Sequence, residues 1–183
     1  MPEVSQTLTR ALLFAAKKHT DQRRKGERAE PYVNHLIEVA DLITQFTDGK
    51  NADVLAAAVL HDTIEDTDTK YEELVKEFGQ NVADIVQECT DDKSLPKAER
   101  KRLQVEHAPH KSDAAKLVKT ADKISNLRAI LDSPPPDWSL ARKQEYFTWA
   151  KNVVDGLRGV NAGLEGEFDK VYARGAQKFG MKI

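Results

Sequence analysis

Cysteine is nearly absent: Cys89 is the one thiol in 183 residues, so no internal disulfide can form. The opening residues, MPEVSQTLTR, lack the apolar stretch of a signal peptide, and with the missing disulfides this points to a cytoplasmic protein. No apolar run approaches the roughly 18 residues that a membrane span needs, which excludes insertion into a bilayer. An excess of positive charge is also missing. The formal net charge is −2 and the isoelectric point about 6.2, unlike a protein that coats nucleic acid. Strand-type alternation bounded by turns, internal repeats, heptad arrays and low-complexity tails are absent too, which excludes β, solenoid and coiled-coil architectures.

What remains is helical periodicity almost throughout, in a chain that is 40% hydrophobic and long enough for one compact core. The expected class is all-α, with one domain over residues 1–183. Leu8, Leu12, Ala15 and His19 share a stripe of a first helix. Ile37, Ala40 and Ile43 or Thr44 continue the pattern in a second, after a turn at Glu30-Pro31. A third helix is predicted from residue 51 to about 64. Thr69 through Glu72 has the form of a capping box, opening a short helix that Gly79 closes. Residues 80–90 predict another, followed by one from Pro96 to about His107. Ser112 predicts a cap for a helix reaching about Leu131, the prolines at 134–136 enforce a break, and two more helices follow.

Chemistry concentrates at residues 61–66, His-Asp-Thr-Ile-Glu-Asp, directly after the apolar run from Val54 to Leu60. A hydrophobic helix ending in a histidine and three carboxylates places charge where folding alone would not. On a helix Asp62 and Asp66 share one face, as do His61 and Glu65, so adjacent His61 and Asp62 can bind an ion while the next turn aims a carboxylate at water. Further ligands must come from other helices. His35, after Pro31-Tyr32-Val33-Asn34, and Asp122, in the apolar run from Leu117 to Lys123, are the candidates. Two imidazoles and two carboxylates form a mixed N/O site for which Mn, Fe, Co and Zn all qualify.

The basic residues are bunched within this acidic chain: Arg23-Arg24-Lys25, then Lys97 with Arg100-Lys101-Arg102, then Arg142-Lys143. Such clusters suit a small polyanion. His107 and His110 are expected to touch solvent, His19 to edge the core, and Trp138 and Trp149 to anchor the core without a role in the site.

His35, His61-Asp62 and Asp122 resemble the split H…HD…D pattern of HD-domain metal-dependent phosphohydrolases. Arg24-Lys25, residues 31–35, residues 60–67 and residues 119–128 resemble the hydrolase domain of RelA/SpoT-type enzymes. Residues 90–97 and 100–104 are similar to the stand-alone metazoan SpoT homologue group of small alarmone hydrolases, and no synthetase or regulatory segment follows. One departure is Leu36, where relatives commonly carry proline; it alters helix entry and leaves His35 in place.

The resemblance implies a single-domain HD helical bundle with its metal and catalytic core at about 20–130 and C-terminal helices at about 138–180 completing the pocket. It implies hydrolysis of guanosine 3′,5′-bis(diphosphate), ppGpp, to GDP and pyrophosphate with one Mn²⁺ held by His35, His61, Asp62 and Asp122. Glu65 and Asp66 would orient and deprotonate the attacking water. Arg24 and Lys25 match the family's basic pair at the base and phosphate, Asn126 a polar contact to ribose or phosphate, and Lys97, Arg142 and Tyr146 the nucleotide pocket. The partner is thus a small nucleotide, with neither nucleic acid nor membrane involved, and a monomer fits the chain's size. The same site admits another phosphorylated nucleotide such as NADPH, or pppGpp. A nucleotide sensor without turnover is disfavoured, because every ligand and both carboxylates are present.

Overall fold

The computed structural model describes residues 3–182. Its helices in chain order are α1 (Val4–Lys18), α2 (Val33–Phe46), α3 (Ala52–Leu60), α4 (Thr63–Asp66), α5 (Tyr71–Phe78), α6 (Gln80–Cys89), α7 (Lys97–His107), α8 (Asp113–Asp132), α9 (Leu140–Leu157) and α10 (Ala162–Phe179). A 3₁₀ turn at Ala108–His110 joins α7 to α8. No strand occurs among the described residues; one isolated bridge pairs Arg23 with Pro31.

Two helices organise the rest. α3 is apolar all round, and every residue from Val54 to Leu60 is buried, so it can only exist inside a shell of other helices. Asn51 starts it, accepting from the Val54 amide at 3.1 Å. α8 is the second axis. Ser112 caps it through the Ala115 amide at 3.2 Å, and it packs against α2, α3, α6, α9 and α10. α1, α2 and α6 enclose α3, and the buried apolar side chains form one cluster.

Four local expectations are corrected. The predicted helix over residues 51 to 64 breaks: α3 ends at Leu60, Asp62 has φ −101° and ψ −1°, and α4 is a separate turn. His61 and Asp62 therefore lie in a bend, so the shared helical faces expected for Asp62 with Asp66 and His61 with Glu65 do not arise from one continuous helix. Thr63 helps close the bend by donating to the Leu60 carbonyl at 2.6 Å. No capping box forms at Thr69, whose hydroxyl meets that of Thr67 at 2.8 Å while Lys70 takes the N-cap position. Pro96 precedes α7 instead of occupying its first turn. On α2 the buried face is His35, Leu36, Val39, Ala40, Leu42 and Ile43, leaving Ile37 47% exposed.

The segment between α1 and α2 is irregular yet tied down. Arg24 donates its amide to the Glu30 carbonyl at 2.8 Å, and Tyr32 to that of Gln22 at 3.1 Å. Glu27 and Arg28 bond the end of α8 through Pro134 O (3.2 Å) and Ser133 Oγ (3.0 Å). Gly26 sits so close to the Ser133 carbonyl that a Cβ would collide with it. This docking carries Arg24 and Lys25 to the C-terminal half of α8, where Asn126 lies. No helix of the described residues is long and apolar enough to cross a membrane.

Candidate metal centre and active site

His35 from α2, His61 and Asp62 from the α3–α4 bend, and Asp122 from α8 converge beneath a large cavity. Nε2 of His61 lies 3.1 Å from Asp62 Oδ2 and 3.7 Å from Asp122 Oδ1; Nε2 of His35 lies 3.6 Å and 3.3 Å from the same two oxygens. His35, His61 and Asp62 offer donor atoms within 4.8 Å of one another. The other imidazole nitrogens set the tautomers. His61 Nδ1 donates to the Ala58 carbonyl at 2.7 Å. Ser125 Oγ donates to Glu38 Oε2 at 2.6 Å, so it accepts from His35 Nδ1 at 2.8 Å, and Arg128 steadies Glu38 at 3.2 Å.

Each Nε2 then faces carboxylate oxygens, and both atoms are buried with no hydrogen-bond partner. Such an arrangement calls for positive charge between the nitrogens and the carboxylates, carried by a proton or by a metal ion. Burial opposes a charge on His61, yet Asp62 and Asp122 outweigh it and push its pKa up to about 10. Burial alone would raise the pKa of each of the two aspartates, but His61 for Asp62, and Lys123 with the histidines for Asp122, hold both carboxyls well below the usual range. A divalent cation fits this donor set, whose distal nitrogens are already oriented as metal-ligating imidazoles require.

Around the cluster, Tyr32 donates its hydroxyl to Asp62 Oδ2 at 2.5 Å, and its ring stacks on buried His19 at 5.1 Å. Burial, then Asp62, lifts the phenol's pKa well above its ordinary value, so it remains a donor. Asp122 Oδ1 accepts from Asn126 at 2.6 Å and Oδ2 from Lys123 at 2.9 Å, with Lys119 at 3.8 Å.

The cavity above measures about 1200 Å³. Glu65 and Asp66 both line it from α4. The Asp91 amide donates to Glu65 Oε2 at 3.1 Å, and Arg100 approaches Oε1 at 3.8 Å. Burial, then Asp62 and Asp91, raises the Glu65 pKa. Asp66 is held by Lys93 on one oxygen and by Gln22 at 3.1 Å on the other. Lys25, Lys97, Asn126, Arg142 and Tyr146 also line the cavity, whereas Arg24 faces an adjoining hollow of about 220 Å³ that shares Lys25, Tyr32, Asp66, Asn126 and Tyr146. Arg24 donates to Asn126 Oδ1 at 3.0 Å and lies 5.8 Å from the Tyr32 ring centre. Partial burial, then Arg142, Lys101 and Lys25, lowers the Lys97 pKa, a sign of cations crowded without enough anion. Such a rim suits a polyphosphate.

A family model described as HD domain matches residues 11–151. The chain belongs to the HD-domain family. This HD-domain chain is 55% identical over 159 residues to the guanosine-3′,5′-bis(diphosphate) 3′-pyrophosphohydrolase MESH1 of Xenopus tropicalis, covering 87% of the chain and 89% of that protein. It is 54% identical to the Homo sapiens protein of the same name, covering 86% and 88%. Among solved structures it resembles one described as a metazoan ortholog of SpoT that hydrolyses ppGpp, with a TM-score of 0.89, 47% identity, and coverage of 92% and 94%. An HD domain implies a divalent metal, and the His/Asp cluster is where the fold places its candidate site.

The candidate residues read from the sequence gather at the floor and walls of the large cavity, except Arg24, which lines the adjoining hollow. The three basic clusters converge only in part: Arg23, Arg24, Lys25, Lys97, Arg100, Lys101 and Arg142 reach the two hollows, while Arg102 pairs outward with Glu99 and Glu106. Trp138 and Trp149 pack against the core as expected, yet both are partly exposed and also line the large cavity, Trp138 under Arg142 at 4.5 Å and Trp149 beside Lys123 at 4.7 Å and Lys101 at 5.2 Å. Sequence reasoning gave no site role to Tyr32, Lys119 and Lys123. The two lysines carried a signal, since they interrupt an apolar helix at three positions before and one after Asp122.

Proposed function

We propose that this HD-domain chain is a ppGpp 3′-pyrophosphohydrolase that works with one Mn²⁺ and releases GDP and pyrophosphate. The observation that carries the reading is the paired buried Nε2 atoms of His35 and His61, turned on Asp62 and Asp122 at the floor of a cation-rimmed cavity. The ppGpp hydrolases that share about half its residues over most of both chains support the substrate. His35, His61, Asp62 and Asp122 would hold the ion, which supplies Lewis-acid stabilisation to a phosphoryl oxygen and lowers the pKa of a water.

The remaining work falls to the protein. Glu65 is the base that takes a proton from the attacking water, its carboxylate fixed by the Asp91 amide and its basicity raised by burial. Asp66, fixed by Gln22 and Lys93, orients the same water. Arg24, preset by Asn126 and the Tyr32 face, stacks on the base and meets phosphate, a dual role its planar guanidinium allows. Lys25, Lys97 and Arg142 neutralise the distal diphosphate, and Asn126 and Tyr146 complete the nucleoside wall. We place the protein in the cytoplasm as a monomer: the Cys89 thiol is buried with its pKa pushed up to about 12, and the large exposed apolar side chains are Leu13, Ile37 and Leu140 among the described residues.

The test is product analysis of purified, Mn²⁺-loaded protein with ppGpp, pppGpp and NADPH in parallel. GDP and pyrophosphate from ppGpp, at the highest kcat/KM of the three, is expected. Phosphate released from NADPH without ppGpp turnover would reassign the substrate.

A further inference from the structure

Beneath the cavity, Lys119 and Lys123 lie one turn apart on α8 and are only 4% and 2% exposed. Lysine is almost never buried this deeply without a matching partner. Here two ammonium groups share one carboxylate oxygen, Asp122 Oδ2, at 3.8 and 2.9 Å. Lys119 also donates to the Cys89 carbonyl at 3.2 Å, and Lys123 stands against the Trp149 ring at 4.7 Å. An ammonium has three N–H donors. Among the described residues each lysine makes one hydrogen bond to the protein, so further donors on both are left for what occupies the cavity, which both side chains line.

We propose that Lys119 and Lys123 form a receptor for the second phosphoryl group of a scissile pyrophosphate, and so select a diphosphate over a phosphomonoester. The inference rests on the reading of this site as a pyrophosphohydrolase and adds two residues to it. Charge supports the assignment first. Both ammonium groups lean on the single carboxylate oxygen Asp122 Oδ2, so the floor holds two cations against one shared anion, and a divalent ion at the histidine edge would add to that positive charge. A pyrophosphate group carries more negative charge into that floor than a monoester does.

Placement supports it second. Asp122 faces two ways: Oδ1 lies 3.3 and 3.7 Å from the imidazole nitrogens, and Oδ2 touches Lys123. The ammonium groups thus stand one carboxylate's width from the edge that faces the histidines. A phosphoryl group engaged at the histidine edge would carry its neighbour, one P–O–P link away, toward the lysines, and a monoester has no such neighbour to offer. The rim cations Lys25, Lys97 and Arg142 are farther out and more exposed, suited to the other end of the nucleotide.

The test measures binding of two inorganic probes, pyrophosphate and phosphate, by calorimetry on the metal-loaded protein, with metal content assayed in every sample. Wild type should bind pyrophosphate at least about 10-fold more tightly than phosphate, as expected for added charge-assisted hydrogen bonds. Lys119→Met and Lys123→Met should each weaken pyrophosphate by about 10-fold or more, and phosphate by less than about 3-fold, at unchanged metal content. Equal loss for both probes would mean that the lysines act only through Asp122, and no loss would mean that they touch neither; either overturns the proposal. Lys119→Gln and Lys123→Gln repeat the comparison should the Met forms fold poorly, and equal affinity of wild type for the two probes overturns the proposal without any variant. Turnover of ppGpp by wild type is scored separately. Its absence beside a clear preference for pyrophosphate would fail the substrate reading while leaving the lysine receptor standing.

Discussion

Asp122→Ala should do more than remove a metal ligand, because Asp122 is also the carboxylate on which two buried ammonium groups lean. Its side chain is 7% exposed, and those of Lys119 and Lys123 are 5% and 3% exposed. Removing one partner of a buried ion pair costs about 3–5 kcal/mol, since the surviving charge is left uncompensated. A protein of this size has about 5–15 kcal/mol in total, so Asp122→Ala should still fold. With about 2–4 °C of Tm per kcal/mol for this chain length, the expected fall is roughly 6–20 °C. The comparison is made on metal-free wild type and metal-free variant, so that lost metal binding does not enter the difference. Far-UV circular dichroism should stay helical, urea titration should give the free-energy loss, and the variant should take up no metal when the ion is restored. Asp122→Ala combined with Lys123→Met should recover a large part of the lost stability, because the stranded charge goes with the lysine. A metal-free Asp122→Ala protein melting within about 2 °C of wild type, less than the shift expected for even one kcal/mol, would refute the reasoning, as would a double variant weaker than the single one.

Glu65→Gln should keep metal and nucleotide affinity yet lose turnover by about 10²–10⁴-fold, the usual cost of a missing general base; parallel loss of metal content would instead make Glu65 a ligand. Arg24→Lys keeps the charge but forfeits the planar fork now held by Asn126 and the Tyr32 face, so KM for ppGpp should rise with metal content unchanged, and an unaltered KM would remove Arg24 from the nucleotide site. In wild type, added salt should raise that KM by screening the exposed rim cations.

The helical class was legible from periodicity because burial of one face repeats along the chain, and α1, α6 and α8 lie close to where their patterns and caps put them. His61, Asp62, Glu65 and Asp66 stood out for a local reason: charge crowded behind a wholly apolar helix. His35 and Asp122 needed the family pattern, because a lone histidine or carboxylate on a helix says nothing about which distant residue it meets. The bend at His61-Asp62 was not legible. Helical propensity runs straight through that stretch, and the turn is closed by tertiary packing and by the Thr63 hydroxyl on Leu60. Ile37 misled for a related reason, since α2 is pinned between α3 and α8 and its buried face is chosen by those neighbours. Trp138 and Trp149 do pack against the core, as size and apolarity argue, yet Arg142, Lys101 and Lys123 also set them at a cavity wall, which residue type alone does not reveal. By itself the sequence determined the helical class and which residues are candidates for chemistry, both encoded in short-range pattern and residue type. Only the tertiary structure decided which carboxylate oxygen faces the imidazoles, which lysines are buried, and how the basic clusters divide between the pocket and solvent, because those depend on contacts between segments tens of residues apart.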